Sequence, residues 1–294
     1  MINDMKKLLF LFSVIALAAC GDSDDGVNTP PDVPSPRLLT VEVSENPMQD
    51  ENAPSREMTR AGGATTTSTL SGFTMHYTNE WSKTFEKTGD TWNTATWPGS
   101  GSGTIGNDKK LDFYAHDGGT FVWTESNPYV SFTAEENVAS MKDLLVATHK
   151  SISFNDNNGH VSLTFDHACA AVQFFVYKVE STEYTVSSII LRNVCKQGDY
   201  YYNNTETPKW QNVGTPTYYT LNTSSIDKLS TTPKRLDCGW LYLIPQSKSG
   251  IKIDVTYSKA GGTTSNTKTL SLPAGTWEAG MQYTVNIRIG GPAS

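Results

Sequence analysis

Cys20 is the residue of this chain whose surroundings most clearly prescribe a chemistry. It closes Leu17-Ala18-Ala19-Cys20, which resembles the bacterial lipobox, where the cysteine thiol is acylated with diacylglycerol and the chain is then cut on its amino side. Lys6 and Lys7 precede the apolar run Leu8 to Ala19. Together they read as the positive and hydrophobic parts of a signal peptide over residues 1–19, too short to span a bilayer comfortably. Met5 is an equally good start, because residues 2–4 add nothing to the signal. Each buried CH₂ of an acyl chain contributes about 0.8 kcal/mol, so two or three chains would tether the protein to a membrane. A core cysteine after an apolar strand is the plainer reading, but it leaves the charged start unexplained.

The remaining chemistry-bearing residues form no catalytic set. Gly101-Ser102-Gly103-Thr104-Ile105-Gly106 matches GxGxxG, but that motif works by aiming a helix N-terminus at a pyrophosphate. Here the chain runs on through Asn107 to Ala115 into a strand, so a flexible hairpin loop is expected. His160 and His167 lie seven apart, on opposite faces of one strand, and His167 is expected to be a satisfied structural histidine. Glu135, Glu136, Asp143, Asp156 and Asp166 supply carboxylates, but nothing marks two of them as facing each other across a cleft. Cys169, Cys195 and Cys238 are odd in number and widely spaced, with no CxxC metal signature. They could form at most one bridge, and buried thiols acting as small hydrophobes are expected. No catalytic residue, metal or cofactor is expected, and the chain is not expected to be an enzyme. Seven tryptophans could build a platform for sugar rings, although in sandwich proteins such rings are more often core.

The elements that would carry these residues are strands. In 294 residues the formal charge is −7 and only 18% of residues are charged, which gives no electrostatic footprint for nucleic acid. Abundant threonine with 13 Tyr and 11 Phe suits pleated, half-buried surfaces. Residues 21–36 are rich in Pro, Asp and Gly and read as an extended stalk; the acidic Gly21-Asp22-Ser23-Asp24-Asp25 at its head suits a solvated spacer. Leu39, Val41 and Val43 then alternate with polar residues as one isolated strand. The polar stretch from Ser44 to Arg60 follows, an exposed loop in which Arg56 and Arg60 are open to proteases. Residues 141–147 suit a helix by propensity or a buried strand by their apolar run. Asn158-Gly159 marks a turn. Val161, Leu163 and Phe165 are apolar at odd positions and Val172, Phe174 and Val176 at even ones, so one strand ends and another begins between them. The expected organisation is a signal (1–19), a lipidated tether with one isolated strand (20–60) and two all-β antiparallel sandwiches (61–167 and 168–294).

The stretch Met141-Lys142-Asp143-Leu144-Leu145-Val146-Ala147, followed by Val161-Ser162-Leu163-Thr164-Phe165-Asp166-His167-Ala168-Cys169-Ala170-Ala171-Val172-Gln173-Phe174, resembles the central signature of the fimbrillin-like (Mfa-like, type V pilin-related) lipoproteins of Bacteroidales. Thr59-Arg60-Ala61 is similar to their arginine maturation site, Leu111 to Ala115 to an inner strand, and Ala279 to Ile287 to the closing strand. The acidic residues after Cys20 resemble the surface-export signal of such lipoproteins. The resemblance implies two transthyretin-like sandwiches in series and a fimbrial subunit anchored through Cys20 in the outer membrane, exposed at the surface and carried into the fimbria after maturation. It further implies cleavage between Arg60 and Ala61, or less readily after Arg56, loss of the strand holding Leu39, Val41 and Val43, and filling of the groove by a neighbouring subunit's strand. Partners would be other pilin subunits and a glycan or protein on a host or bacterial surface.

Stalk subunits of the family carry a donor segment after the closing strand, whereas here Gly290-Gly291-Pro292-Ala293-Ser294 follows it. Either the closing strand swings out, or the subunit accepts a strand without donating one, which suits a tip position. The competing reading is a non-polymerising surface lipoprotein that binds glycan or protein ligands. It expects no maturation and solvent-exposed rings among Trp81, Trp92, Trp97 and Trp123.

Overall fold

The computed structural model describes residues 37–51, 70–99, 105–125, 127–203, 209–222 and 224–290, and every statement below concerns these residues. All lie in one compact unit, Pro36–Ser294. In chain order the strands are β1 (Leu38–Glu45), β2 (Gln49–Asp50), β3 (Gly72–His76), β4 (Ser82–Thr88), β5 (Thr91–Trp92), β6 (Ala95–Thr96), β7 (Leu111–Asp117), β8 (Thr120–Val122), β9 (Tyr129–Thr133) and β10 (Leu145–Ile152). One helical turn, α1 (Phe154–Asn157), leads to β11 (His160–His167), β12 (Ala170–Lys178), β13 (Tyr184–Val194), β14 (Gln197–Tyr201), β15 (Trp210–Gln211) and β16 (Thr217–Thr220). The chain closes with β17 (Lys234–Leu243), β18 (Gln246–Ser247), β19 (Lys252–Lys259), β20 (Ser265–Ser271), β21 (Thr276–Trp277) and β22 (Met281–Ile289). The protein is nearly all β, as its composition implies.

Alternation fixes the faces. In β11, Val161, Leu163 and Phe165 are buried while Ser162, Thr164 and Asp166 are exposed. In β12 the buried set passes to Val172, Phe174 and Val176, so the change of parity read in the sequence is a true break between two strands. The run at 141–147 resolves toward the strand: β10 starts at Leu145, with no helix at 141–144. Leu144, Val146 and Ala147 are buried, and burial on both faces explains why periodicity alone left helix and strand open.

Strand order in the largest sheet is β5-β4-β3-β7-β10-β11-β1-β6. It covers a core of Leu39, Phe73, Met75, Phe85, Trp97, Phe113, Val161, Leu163 and Phe165, among others. A second core lies between the sheets β17-β12-β22-β2 and β16-β13-β19-β20, with the sheet β15-β14-β9-β8 joined to it. Most pairings are antiparallel, as expected, but three are not. The pairs β1 with β11, β12 with β22 and β2 with β22 run parallel. The physical reason is the spacing along the chain: β1 and β11 lie far apart in sequence, and intervening strands supply the crossover that parallel neighbours require.

The Asn158-Gly159 turn has a specific task. Asn158 is left-handed (φ 50°) and so is Gly159 (φ 78°). A Cβ on Gly159 would stand 2.2 Å from the Leu38 carbonyl oxygen and 2.8 Å from the Phe154 ring. Gly159 also accepts the Thr40 N–H at 3.0 Å, so the glycine admits the start of β1 to its place beside β11. Gly159→Ala is expected to destabilise the protein by at least about 1–3 kcal/mol through clash and strain. Urea unfolding measures the loss.

Candidate functional site

The segment from Arg37 to Glu51 is bound across the body end to end. At its start the Trp97 N–H donates to the Arg37 carbonyl at 2.8 Å, and the Arg37 guanidinium lies 5.7 Å from the centre of the Phe154 ring. Leu39 is completely buried in the first core, and Val41 and Val43 are half-buried against it. The residues expected to form the removable strand are therefore the ones that face inward from β1.

Backbone pairing of β1 to β11 is continuous from Thr40↔His160 to Glu45↔Phe165. On its other flank β1 pairs only at Leu38 and Leu39, with β6. The flank of β11 away from β1 pairs with β10 only at Asp166 and His167. Thus β1 is the sole described strand paired to residues 160–165, and its removal would leave a run of β11 unpaired beside an apolar trough. Side chains add Thr40 Oγ1 to His160 Nδ1 (3.0 Å), Ser44 Oγ to Thr164 Oγ1 (3.0 Å) and Asn46 Nδ2 to Asp166 Oδ1 (2.6 Å).

At its C-terminal end β1 meets a buried ionic group. His167 Nδ1 lies 2.6 Å from Asp143 Oδ2, and His167 Nε2 lies 3.2 Å from Glu45 Oε1. Asp143 also accepts the Cys169 N–H at 3.2 Å. Burial on its own would lower the His167 pKa, but bonds and charge from Asp143 and Glu45 outweigh it and hold the imidazole at about 9. Burial raises the Asp143 carboxyl, opposed by its bonds to His167 and Cys169. The direction we hold to is the raised imidazole, an imidazolium between two carboxylates. His167 is the structural histidine expected, hydrogen-bonded through Nδ1 to Asp143 and in ion-pair contact through Nε2 with Glu45, whereas its two partners were not read as a set.

Beyond Glu45 the chain crosses to the second core. Met48 is buried, Gln49 N–H donates to Gly280 O at 2.8 Å, and Glu51 N–H donates to Gln282 O at 3.1 Å. The short β2 pairs parallel with Met281 and Gln282 of β22. One segment therefore caps β11 in the first sheet and the start of β22 in another.

The other expected site residues divide into those placed and those not. Cys20, Arg56, Arg60 and Ala61 lie outside the described residues, as do residues 101–104 of the GxGxxG stretch; the chain beyond that stretch enters β7, a strand. Among the described residues no three His, Cys, Asp or Glu side chains are grouped to hold a metal. The carboxylates are dispersed: Asp156 pairs with Lys110, Glu135 accepts from Ser140 and Asp166 from Asn46. Cys169 and Cys238 are buried, Cys195 is half-buried, and all three are free thiols. Trp97 is 1% exposed, and Trp81, Trp92 and Trp123 are half-buried against the cores. A pair absent from the sequence reading, His76 and His116, meets Nε2 to Nε2 at 3.1 Å; burial and then the charge of His116 lower His76 to about 4.

The same fold is found in solved proteins of Bacteroides. A candidate cell adhesion protein from Bacteroides ovatus ATCC 8483 superposes with a TM-score of 0.51 at 14% identity, over 85% of this chain and 92% of the other. Another, from Bacteroides eggerthii DSM 20697, gives 0.50 at 13% identity over 87% of each chain. At such identities the likeness is one of fold. No curated relative of similar sequence was found. The fimbrillin-like family model matches residues 49–293, and the chain belongs to that family.

Proposed function

We propose that this chain is a structural or adhesive subunit of a surface fimbria, non-enzymatic and assembled by exchange of the β1 strand. In this reading the precursor is exported as a lipoprotein acylated on Cys20 and displayed on the outer membrane. An arginine-specific protease cuts between Arg60 and Ala61, or less readily after Arg56. Residues 20–60 leave, β1 and β2 with them, and a strand from a neighbouring subunit takes the vacated place. The single observation that carries the reading is the seat of β1: it supplies the only strand pairing of residues 160–165 of β11 among the described strands and plugs the core with Leu39. An unpaired edge beside an apolar trough binds an incoming strand through both backbone and side chains.

The terminal position belongs to the same proposal. Residues 282–289 of β22 pair continuously with residues 171–178 of β12, and Ile287 and Ile289 are completely buried. A strand so committed to its own core is a poor donor, which favours accepting a strand over swinging one out. We keep two transthyretin-like sandwiches, dividing near 167 and 168, as the proposed domain description. The first core draws all its buried residues from positions up to Phe165, while the second also takes in β9 and Leu144.

The half-buried and buried tryptophans argue against an exposed indole platform, and so against the form of the non-polymerising alternative that depends on one. Mass-spectrometric mapping of N-termini on surface-exposed protein tests the maturation step. We expect chains beginning at Ala61, with Glu57 the secondary start. Finding only acylated Cys20 would overturn it.

A further inference from the structure

Away from β1, the second core carries a polar cleft of about 560 Å³ beside β16. That size lies within the roughly 300–1,000 Å³ usual for small-molecule sites. Its floor and walls come from Thr217, Tyr218, Tyr219 and Thr220 of β16, together with Lys196, Glu136 and Asn137. Most aromatic rings of this protein are turned into the cores, but Tyr218 is 55% exposed. It stands on the outermost strand of the sheet β16-β13-β19-β20.

The cation beside it is fixed in place. Lys196 Nζ lies 4.3 Å from the centre of the Tyr219 ring, 5.9 Å from that of Tyr218 and 3.7 Å from Glu136 Oε1. The Lys196 side chain is 14% exposed while that of Glu136 is 91% exposed. An ammonium held over aromatic faces and against a carboxylate is pre-organised as a donor. The two opposite charges cancel within the cleft, so an anionic ligand gains little there. Asn222 shapes the wall without offering free groups: its amide is bonded to Ile189 N–H, Ser187 O and Ser224 O.

We propose that this cleft binds a neutral saccharide. The apolar face of a pyranose ring stacks on Tyr218, its vicinal hydroxyls donate to Glu136, and Lys196 donates to a sugar oxygen. A peptide strand is the poorer fit. The paired part of β16 is four residues long and follows Pro216, which has no N–H to offer, and Val138 is the single aliphatic side chain of the lining, set among hydroxyls, amides, charges and two tyrosine rings. The site does not depend on strand exchange, so failure of either reading leaves the other standing.

The test is saturation-transfer NMR on the folded protein with lactose, maltose and N,N′-diacetylchitobiose, and with 3′-sialyllactose as the anionic comparison. At least one neutral disaccharide is expected to bind with a Kd near 1 mM, and Tyr218→Ala and Glu136→Gln are each expected to weaken it about tenfold or more. Both positions are exposed, so thermal unfolding of the variants should match the parent and separate lost binding from lost folding. The proposal is overturned if no neutral disaccharide gives transfer at about 10 mM. Binding that survives Tyr218→Ala, or a preference for the sialylated sugar over lactose, overturns it equally.

Discussion

Replacing His167 by Gln is expected to remove about 3 kcal/mol of stability at neutral pH and to flatten the alkaline limb of the pH–stability profile. The imidazole is held at about 9 in the folded protein and titrates near 6.5 when unfolded. A raised pKa means that the folded state binds the proton more tightly. The contribution is therefore complete below about pH 6.5 and is lost as pH rises through about 9, at roughly 1.4 kcal/mol per unit of difference. The side chain is 7% exposed and its partner carboxylates on Asp143 and Glu45 are 9% and 12% exposed, so solvent screens the group little. Viewed from the carboxylates, the same loss leaves two buried charges uncompensated, and breaking a buried pair in that way costs about 3–5 kcal/mol. Thermal unfolding of parent and His167→Gln protein between pH 6 and 10 measures both effects. Parallel profiles would show that His167 does not clamp Glu45. Glu45 closes β1, so the same substitution should ease departure of that strand.

Cleavage after Arg60 carries the second large effect. Once residues before Ala61 leave, the protein loses the full burial of Leu39, worth about 1.5–3 kcal/mol, and part of that of Val41 and Val43. Six register pairs with β11 and the Glu45 contact to His167 go with them. These losses approach the total stability of an ordinary domain, about 5–15 kcal/mol. Protein cleaved and freed of the fragment is therefore expected to unfold at markedly lower temperature than the precursor, and to regain stability when a strand is supplied. Differential scanning calorimetry of the two forms reads the difference. Under the proposed exchange an intact precursor is expected not to assemble, because β1 already fills the place beside β11.

Much of this arrangement was legible in local pattern, and its pairing was not. Alternation at Leu39, Val41 and Val43 announced a strand, and the change of parity between Phe165 and Val172 announced the break between β11 and β12. A period-2 pattern reports which side chains face a core, but it is silent on which strand lies alongside and in which direction. The parallel pairing of β1 with β11 joins residues 120 apart, Thr40 with His160, and no local rule reaches that far. Asp143 and His167 were each singled out by their chemistry, yet their meeting with Glu45 depends on three elements converging, β1, the segment before β10 and the end of β11. Burial on both faces hid β10 from periodicity, since an apolar run suits a helix as well as a strand. The sugar cleft left no sequence signal at all. Tyr218 is exposed and Tyr219 buried on β16, and only the fold brings Lys196 and Glu136 to them.

The central claim is that β1 is the exchangeable partner of β11, and hydrogen–deuterium exchange on β11 tests it most directly. Amides of Val161, Leu163 and Phe165, the alternate residues of β11 whose backbone faces β1, are expected to be protected in the intact precursor, to lose protection after arginine-specific cleavage and removal of the fragment, and to recover it when a peptide of residues 37–46 is added back. Unchanged protection of these amides after the fragment has gone would contradict the account.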